Sequence, residues 1–551
     1  MLFRSVLATV FLASIGFSSE PKVTFGLRLR PAPTSWSEVR APVVLRGAPT
    51  NETSLVRRAD GTIELYSVAK PASDAVEVIR SRDGGMTWSG PERAFKLPAT
   101  AYYALQVLEA SDGALHAVVH GLGEGPGGYR GRLYEVYHFR RVSSTADWSA
   151  PKRIVPGYVG SIRGFIQLRN GRLLLAVGRA VPEREKAPIK PPDFGWNDTL
   201  VYLSDDQGET WRQSPDVLQL ELPGPGVTRY GAIEPALLEL ERGRVWMLVR
   251  DRGGRLWESR SSDGERWPAL TRSEFVSSDS PAACLRLRDG RVVLLTNACQ
   301  NWSDPRSYAA GGREVLHAAI STDDGKTWNG YREVLQDSPT DAKGDRGTAY
   351  PTLVENTSGK IVFASGQGEG KRALVTFDPG WLLESEHEDD WTLGPVGWTS
   401  FGGAKLKVIS GSKDATLSLR TELSAAGASW NFPLASSGTV RLRVRSGIRL
   451  AEVRLSLTDH FSRGDDSKAA DHAIYTCYFQ HAGLAEPLAE IGEAVTIEWD
   501  HQRAMIRVGE AGPAVELRPQ RAPVRGLNYL RLDLPSGSSL ELSDLRMSAI
   551  R

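Results

Sequence analysis

Cysteine is scarce in this 551-residue chain. Only Cys284, Cys299 and Cys477 occur, with no C-x-x-C pair to hold a metal. Buried thiols are therefore expected, with a Cys284–Cys299 disulfide as the alternative in an oxidising compartment. Histidine is thin as well: the nine present are scattered without H-E-x-x-H spacing, so no catalytic zinc is expected. Charge of one sign is missing from the balance. Sixty-seven basic residues meet 66 acidic ones, leaving +1. No long-range field then favours nucleic acid or an anionic membrane, and any anion binding must be local. Long hydrophobic runs are absent apart from Ser5–Phe17, whose 13 residues fall short of the roughly 20 that span a bilayer. Arg4 precedes that run, and Gly16 and Ser18 place small residues at −3 and −1 of a cleavage site. Residues 1–18 thus read as a signal peptide, and a secreted or periplasmic chain beginning near Ser19 is expected, with no membrane insertion.

What the sequence has in quantity is repetition, and repeats override the usual prior on domain size. A Gly turn followed by an apolar strand recurs at Asp60-Gly61, Asp112-Gly113, Asn170-Gly171, Arg242-Gly243, Asp289-Gly290 and Ser358-Gly359. Such turns need φ > 0 and favour hairpins. In alternation with them, a tryptophan closes a polar turn at Trp88, Trp148, Trp211, Trp267, Trp328 and Trp391, at spacings of 60, 63, 56, 61 and 63. Three of these turns carry the full pattern S-x-D-x-G-x-T-W, ending at Trp88, Trp211 and Trp328. Ser261–Trp267 is one residue short, and the copies at Trp148 and Trp391 are degenerate. In such a turn Asp and Ser bond local amides, Gly takes the left-handed position, and Trp packs between sheets. The motif pins a hairpin and carries no chemistry of its own.

Six repeats of several short strands predict six blades of a propeller. Segments at Thr24–Arg30 and Val39–Leu45 are candidates to close the ring. The acidic run Glu384–Asp390 reads as a solvated linker. Beyond it, alternating runs such as Thr439–Arg445, Glu452–Leu457, Val495–Trp499 and Asn528–Leu534 suggest a β-sandwich of jelly-roll type. It is expected to pack against the propeller, with glycan binding as the alternative. The predicted fold is all-β: a six-bladed β-propeller over 19–390 and a C-terminal β-sandwich over 391–551.

Tandem S-x-D-x-G-x-T-W turns on six blades resemble the sialidase superfamily, over roughly residues 24–390. In that fold the innermost strands line one central cleft. Counting nine residues back from the six turn glycines gives Glu52, Ala104, Ile162, Glu234, Pro281 and Tyr350. The resemblance implies a tyrosine nucleophile, here Tyr350, partnered by a glutamate from another blade, here Glu234. It implies an aspartate acid/base, for which Asp74 has the right place, and no cofactor. It also implies three arginines clamping a substrate carboxylate. Arg250 and Arg313 match the second and third. The first departs from the family pattern, because Asn51-Glu52-Thr53 stands where Arg-Ile-Pro is found. Arg46 and Arg163 are candidate substitutes.

The resemblance implies an exo-acting retaining glycosidase that takes sialic acid or a related acidic sugar. Glu52 and Glu234 leave two rivals open: a glycosidase of the same fold acting on a neutral or uronic glycan, and a non-catalytic glycan-binding propeller.

Overall fold

The computed structural model describes residues 33–49, 52–68, 73–101, 104–123, 133–181, 195–220, 231–303, 312–337, 347–367, 372–389, 391, 394–395, 397–410, 415–463, 466–484, 488, 492–523 and 525–550. The leader, the expected strand at Thr24–Arg30 and Asn51 lie outside these residues. The chain is all-β, with only short 3-10 turns beside its strands among the described residues.

Each Gly turn joins the first and second strands of an antiparallel unit, and each of the first five polar turns joins the third to the fourth. The first unit runs Thr53–Arg57, Ile63–Val68, Ser73–Ser81, Glu92–Ala101. The second runs Leu105–Glu109, Leu115–Gly123, Leu133–Arg141, Lys152–Val155. A single pairing, Thr100 with Leu122, joins these two into one eight-stranded sheet. The third sheet spans Gly164–Gln167 to Arg212–Gln213, the fourth Ile233–Glu239 to Thr271–Val276, and the fifth Ala283–Arg286 to Asn329–Gln336. The sixth sheet takes Thr352–Glu355, Ile361–Ser365 and Ala373–Phe377, and its outer strand is the N-terminal Val43–Gly47. The first strand of each unit contacts that of the next, and the sixth contacts the first. Apolar residues fill the spaces between neighbouring sheets, as where Phe95 of the first packs on Phe139 and Trp148 of the second at 4.6 and 4.7 Å.

The polar turns are built as the motif demands. In the first, Gly85 N donates to Ser81 Oγ at 2.7 Å, Thr87 Oγ1 to Asp83 at 2.5 Å, and Trp88 Nε1 to Gly85 O at 2.9 Å. Trp391 does not belong to this series. The sixth sheet borrows its outer strand from the N-terminus, so no turn links its third and fourth strands. Trp391 is instead buried in the C-terminal core with Trp398 and Trp430.

The acidic run is not a linker. Glu386–Asp389 is a strand paired with Leu545–Ser548, so the C-terminal part begins before residue 390. That part is two antiparallel sheets of eight and five strands, facing each other across one core that includes Trp430, Phe432, Leu442, Ile497, Leu532 and Leu542. The five-stranded sheet meets the fifth sheet of the first part. Asn431 and Asn528 donate to Tyr331 O at 3.3 and 2.9 Å. Cys299–Gln300 pairs in parallel with Phe461–Ser462, and Trp302 stacks on His472 at 4.0 Å. All three cysteines are free thiols, so the disulfide alternative falls, and burial pushes Cys284 up to about 12.

Candidate active site

Glu52, Ala104, Ile162, Glu234, Pro281 and Tyr350, the six positions at the heads of the first strands, are all buried. Two of them have unusual backbones. Glu234 has φ +51° and Tyr350 φ +61°, and each precedes a proline. Left-handed backbone at such side chains is uncommon and costs of order 1–3 kcal/mol. Just after Ile233, which lies opposite Arg250, the ladder of the fourth sheet slips by one residue before Ala236 meets Leu248. That bulge turns the glutamate out of the pairing pattern.

The same local device in two sheets brings two side chains, 116 residues apart in sequence, together: Tyr350 Oη donates to Glu234 Oε1 at 3.1 Å. Arg250 closes the triangle. Its Nη1 donates to Tyr350 Oη at 2.9 Å and also to Glu234 Oε2. The Glu234 carboxylate is placed to take the phenol proton, and the Arg250 guanidinium donates to the phenol oxygen.

Behind the triangle, Asp279 receives Arg250 Nε at 2.7 Å and Arg252 Nε at 2.9 Å. Burial alone would raise this carboxyl, but Arg250, Arg252 and Arg313 outweigh it and hold Asp279 below the usual range. Arg313 donates to the Asp279 carbonyl at 2.7 and 3.1 Å and to Gln367 Oε1 at 2.7 Å, with its guanidinium 5.5 Å from the Tyr350 ring. Gly347 lets this happen. At φ +96° its backbone lies so close to Arg313 that a Cβ would sit 2.4 Å from the Arg313 carbonyl oxygen.

On the other side stands Glu52. Ser161 Oγ donates to it at 2.5 Å and Arg163 lies 3.5 Å away. Burial raises the Glu52 carboxyl to about 7; Arg163 and Ser161 pull it down only in part, and Glu234 adds to the rise. Arg163 also donates to Pro351 O. Arg372, fully buried, holds Gly366 O at 3.0 Å, Thr53 Oγ1 at 3.2 Å and Tyr350 O at 3.3 Å. Burial, with Arg163 nearby, lowers its guanidinium to about 10.

Tyr350, Glu234, Arg250, Arg313, Arg163 and Glu52 therefore stand together. Arg46 does not join them, since it lies on the borrowed outer strand of the sixth sheet and bonds to Gly47 O. Asp74 also stands apart. It sits on the third strand of its sheet, half exposed, ion-paired with Lys96 at 3.2 Å, and makes no hydrogen bond to the cluster. The sequence reading missed Asp279, Arg252, Arg372, Ser161 and Gln367. Asp279 is two residues from the head position Pro281 and was within reach of the same count. Arg372 opens a third strand, which counting along first strands never visits.

Five buried guanidinium groups, on Arg163, Arg250, Arg252, Arg313 and Arg372, surround Glu52, Glu234 and Asp279, so positive charge is in excess. Residues 106–363 match the BNR repeat-like domain. That stretch is BNR-repeat-like. No curated protein matches this chain in sequence. Among solved structures it is similar to a protein of unknown function from Dyadobacter fermentans, at 18% identity and TM-score 0.44, over 62% of this chain and 97% of that one. It is similar to a Trypanosoma rangeli sialidase at 15% identity and TM-score 0.41, over 91% and 92%. A Penicillium chrysogenum alpha-L-arabinanase matches at 14% identity and TM-score 0.41, over 61% and 97%.

Proposed function

We propose that this chain is an exported retaining exo-glycosidase of sialidase type, acting on a terminal acidic sugar. In this reading the six units are the blades of a six-bladed propeller, which the cyclic contacts of their first strands support. The C-terminal sheets are a β-sandwich, which their common core supports. The observation that carries the reading is the triangle of Tyr350, Glu234 and Arg250. Tyr350 Oη attacks the anomeric carbon as its proton passes to Glu234 and Arg250 donates to the oxygen, while the glycosidic C–O bond breaks and the aglycone leaves with a proton from Asp74. Water then hydrolyses the glycosyl-tyrosine. Arg313 and Arg372 supply positive charge for a substrate anion. Asp74 is the acid/base of this reading, which requires its exposed carboxylate to leave Lys96 when substrate binds. Export rests on the N-terminal segment alone.

The test is release of an aryl alcohol from aryl sialosides, with mass spectrometry of the protein after a 3-fluoro-glycosyl inactivator. Tyr350→Phe should lose more than about 10³-fold in turnover and take no label. Asp74→Asn should impair substrates with poor leaving groups more than activated ones. A Tyr350→Phe variant that retains turnover ends the proposal.

One observation favours a second reading. Glu52 places a carboxyl beside Arg163, at the position where the family resemblance implies the first arginine of a clamp. A panel of aryl glycosides that includes uronic and neutral sugars distinguishes a glycosidase for such a glycan from one for sialic acid.

A further inference from the structure

The two C-terminal sheets differ in what their outer faces meet. The five-stranded sheet spends its face on the first part of the chain. The larger sheet carries on its own a groove of about 520 Å³, to which no residue before Arg441 contributes.

The alternation that builds this sheet dictates what lines the groove. Along Gly438–Ile448, Val440, Leu442 and Val444 turn into the core while Arg441 and Arg443 turn out. The neighbouring strands follow the same rule, exposing Arg546, Thr496 and Arg507. The register then sets them in one row: Arg546 opposite Arg441, Arg441 opposite Thr496, Thr496 opposite Arg507.

Like charges directly across a strand pair destabilise it. Elsewhere the chain relieves its arginines, as where Arg172 and Arg212 share Asp205 and Glu265. Here the side chains of Arg441, Arg507 and Arg546 make no ion pair or hydrogen bond among the described residues. Only Arg443 is relieved, by Asp544 at 3.3 Å, which a bulge with φ +52° carries to it. A local cost left standing is the signature of a working surface.

The rest of the lining says what kind of ligand fits. Glu498, Glu510 and Thr496 also face the groove, and no aromatic ring does. Guanidinium groups recognise carboxylates or sulfates by paired donors, and Thr and Glu accept from sugar hydroxyls. A continuous run of phosphates would meet Glu498 and Glu510, and bases would find nothing to stack on. The volume lies in the range of small-ligand pockets. We propose that this groove is a glycan site separate from the candidate active site, and that it takes an acidic oligosaccharide. The site stands whether or not Tyr350 is a nucleophile.

The experiment is calorimetric titration of the full-length Tyr350→Phe chain, with and without Arg441→Ala/Arg546→Ala. The probes are a galacturonate trimer, a sulfated heparin tetrasaccharide, maltotriose and a short DNA duplex. At least one acidic saccharide should bind, the double substitution should weaken it about tenfold or more, and raising NaCl from about 50 to about 300 mM should weaken it too. Which acidic probe binds tells carboxylate from sulfate recognition. The melting temperature should hold or rise, because the opposed charges are gone; if the double variant fails to fold, Arg507→Gln carries the same comparison. Equal affinity in parent and variant, binding of neither acidic probe, or tighter binding of maltotriose or DNA overturns the proposal.

Discussion

A buried carboxyl among buried arginines needs a reason to be there, and for Glu52 the reason lies in its raised pKa. Held by Ser161 and Arg163, it is raised by burial to about 7 from the ordinary 4.5. Below that value it is protonated, and the charge of Arg163 is uncompensated. Above it, Glu52 neutralises Arg163 and repels a substrate anion. Affinity for an acidic sugar should therefore fall as pH rises from 6 to 8. Glu52→Gln should remove that slope and bind acidic ligands more tightly at pH 8, by about tenfold if one full charge is relieved across one pK unit. Inhibition constants of an acidic sugar analogue across that range, in parent and variant, measure it. Identical slopes in the two proteins would dismiss Glu52 as the gate.

At the scale of the element, the polar turns are structural devices and should behave as such. Asp323 accepts from Thr327 N at 2.8 Å and from Thr327 Oγ1 at 2.6 Å, and Ser321 Oγ donates to it at 2.8 Å. Asp323→Ala should cost about 2 kcal/mol in a urea titration and leave ligand affinity at the Tyr350 cluster unchanged. The same locality explains what was legible. A Gly turn, an apolar run and a serine–aspartate turn are each decided within a few residues, so the strand order of six units and the equivalence of Glu234 and Tyr350 could be counted along the chain. What failed was non-local. Trp391 sat at the right spacing, but the N-terminal strand Val43–Gly47 had already taken the place its turn would have served. Glu386–Asp389 looked solvated because its charges are, while its backbone is paired with a strand more than 150 residues away. Arg372 and Asp279 enter the site from strands and loops that no repeat count visits.

Across the whole molecule, the two parts are joined by a directional chain of hydrogen bonds. His317 Nδ1 accepts from Ala298 N at 3.2 Å, so the neutral ring carries its proton on Nε2 and donates to Tyr529 Oη at 2.6 Å. Tyr529 donates in turn to Glu333 Oε1 at 2.5 Å. Burial raises Glu333 to about 7 from 4.5, and the bonds from Tyr529 and Gln336 offset only part of the rise. Between those two values the folded chain holds a proton that the unfolded chain releases. The resulting stability is complete below about pH 4.5 and is lost as pH rises through 7, about 3 kcal/mol at most. Buried histidines act in the opposite sense. His120, His138 and His317 are each lowered by burial to about 3 from 6.5, so they add stability as pH climbs to 6.5 and nothing beyond. Total stability against pH therefore mixes two signs, and a difference isolates one. The melting temperature of Glu333→Gln relative to the parent should climb from pH 5 and level off above about pH 7, because between the two values only the parent holds, when folded, a proton that its unfolded chain has released. A constant difference over that range would mean that Glu333 meets solvent in the folded protein.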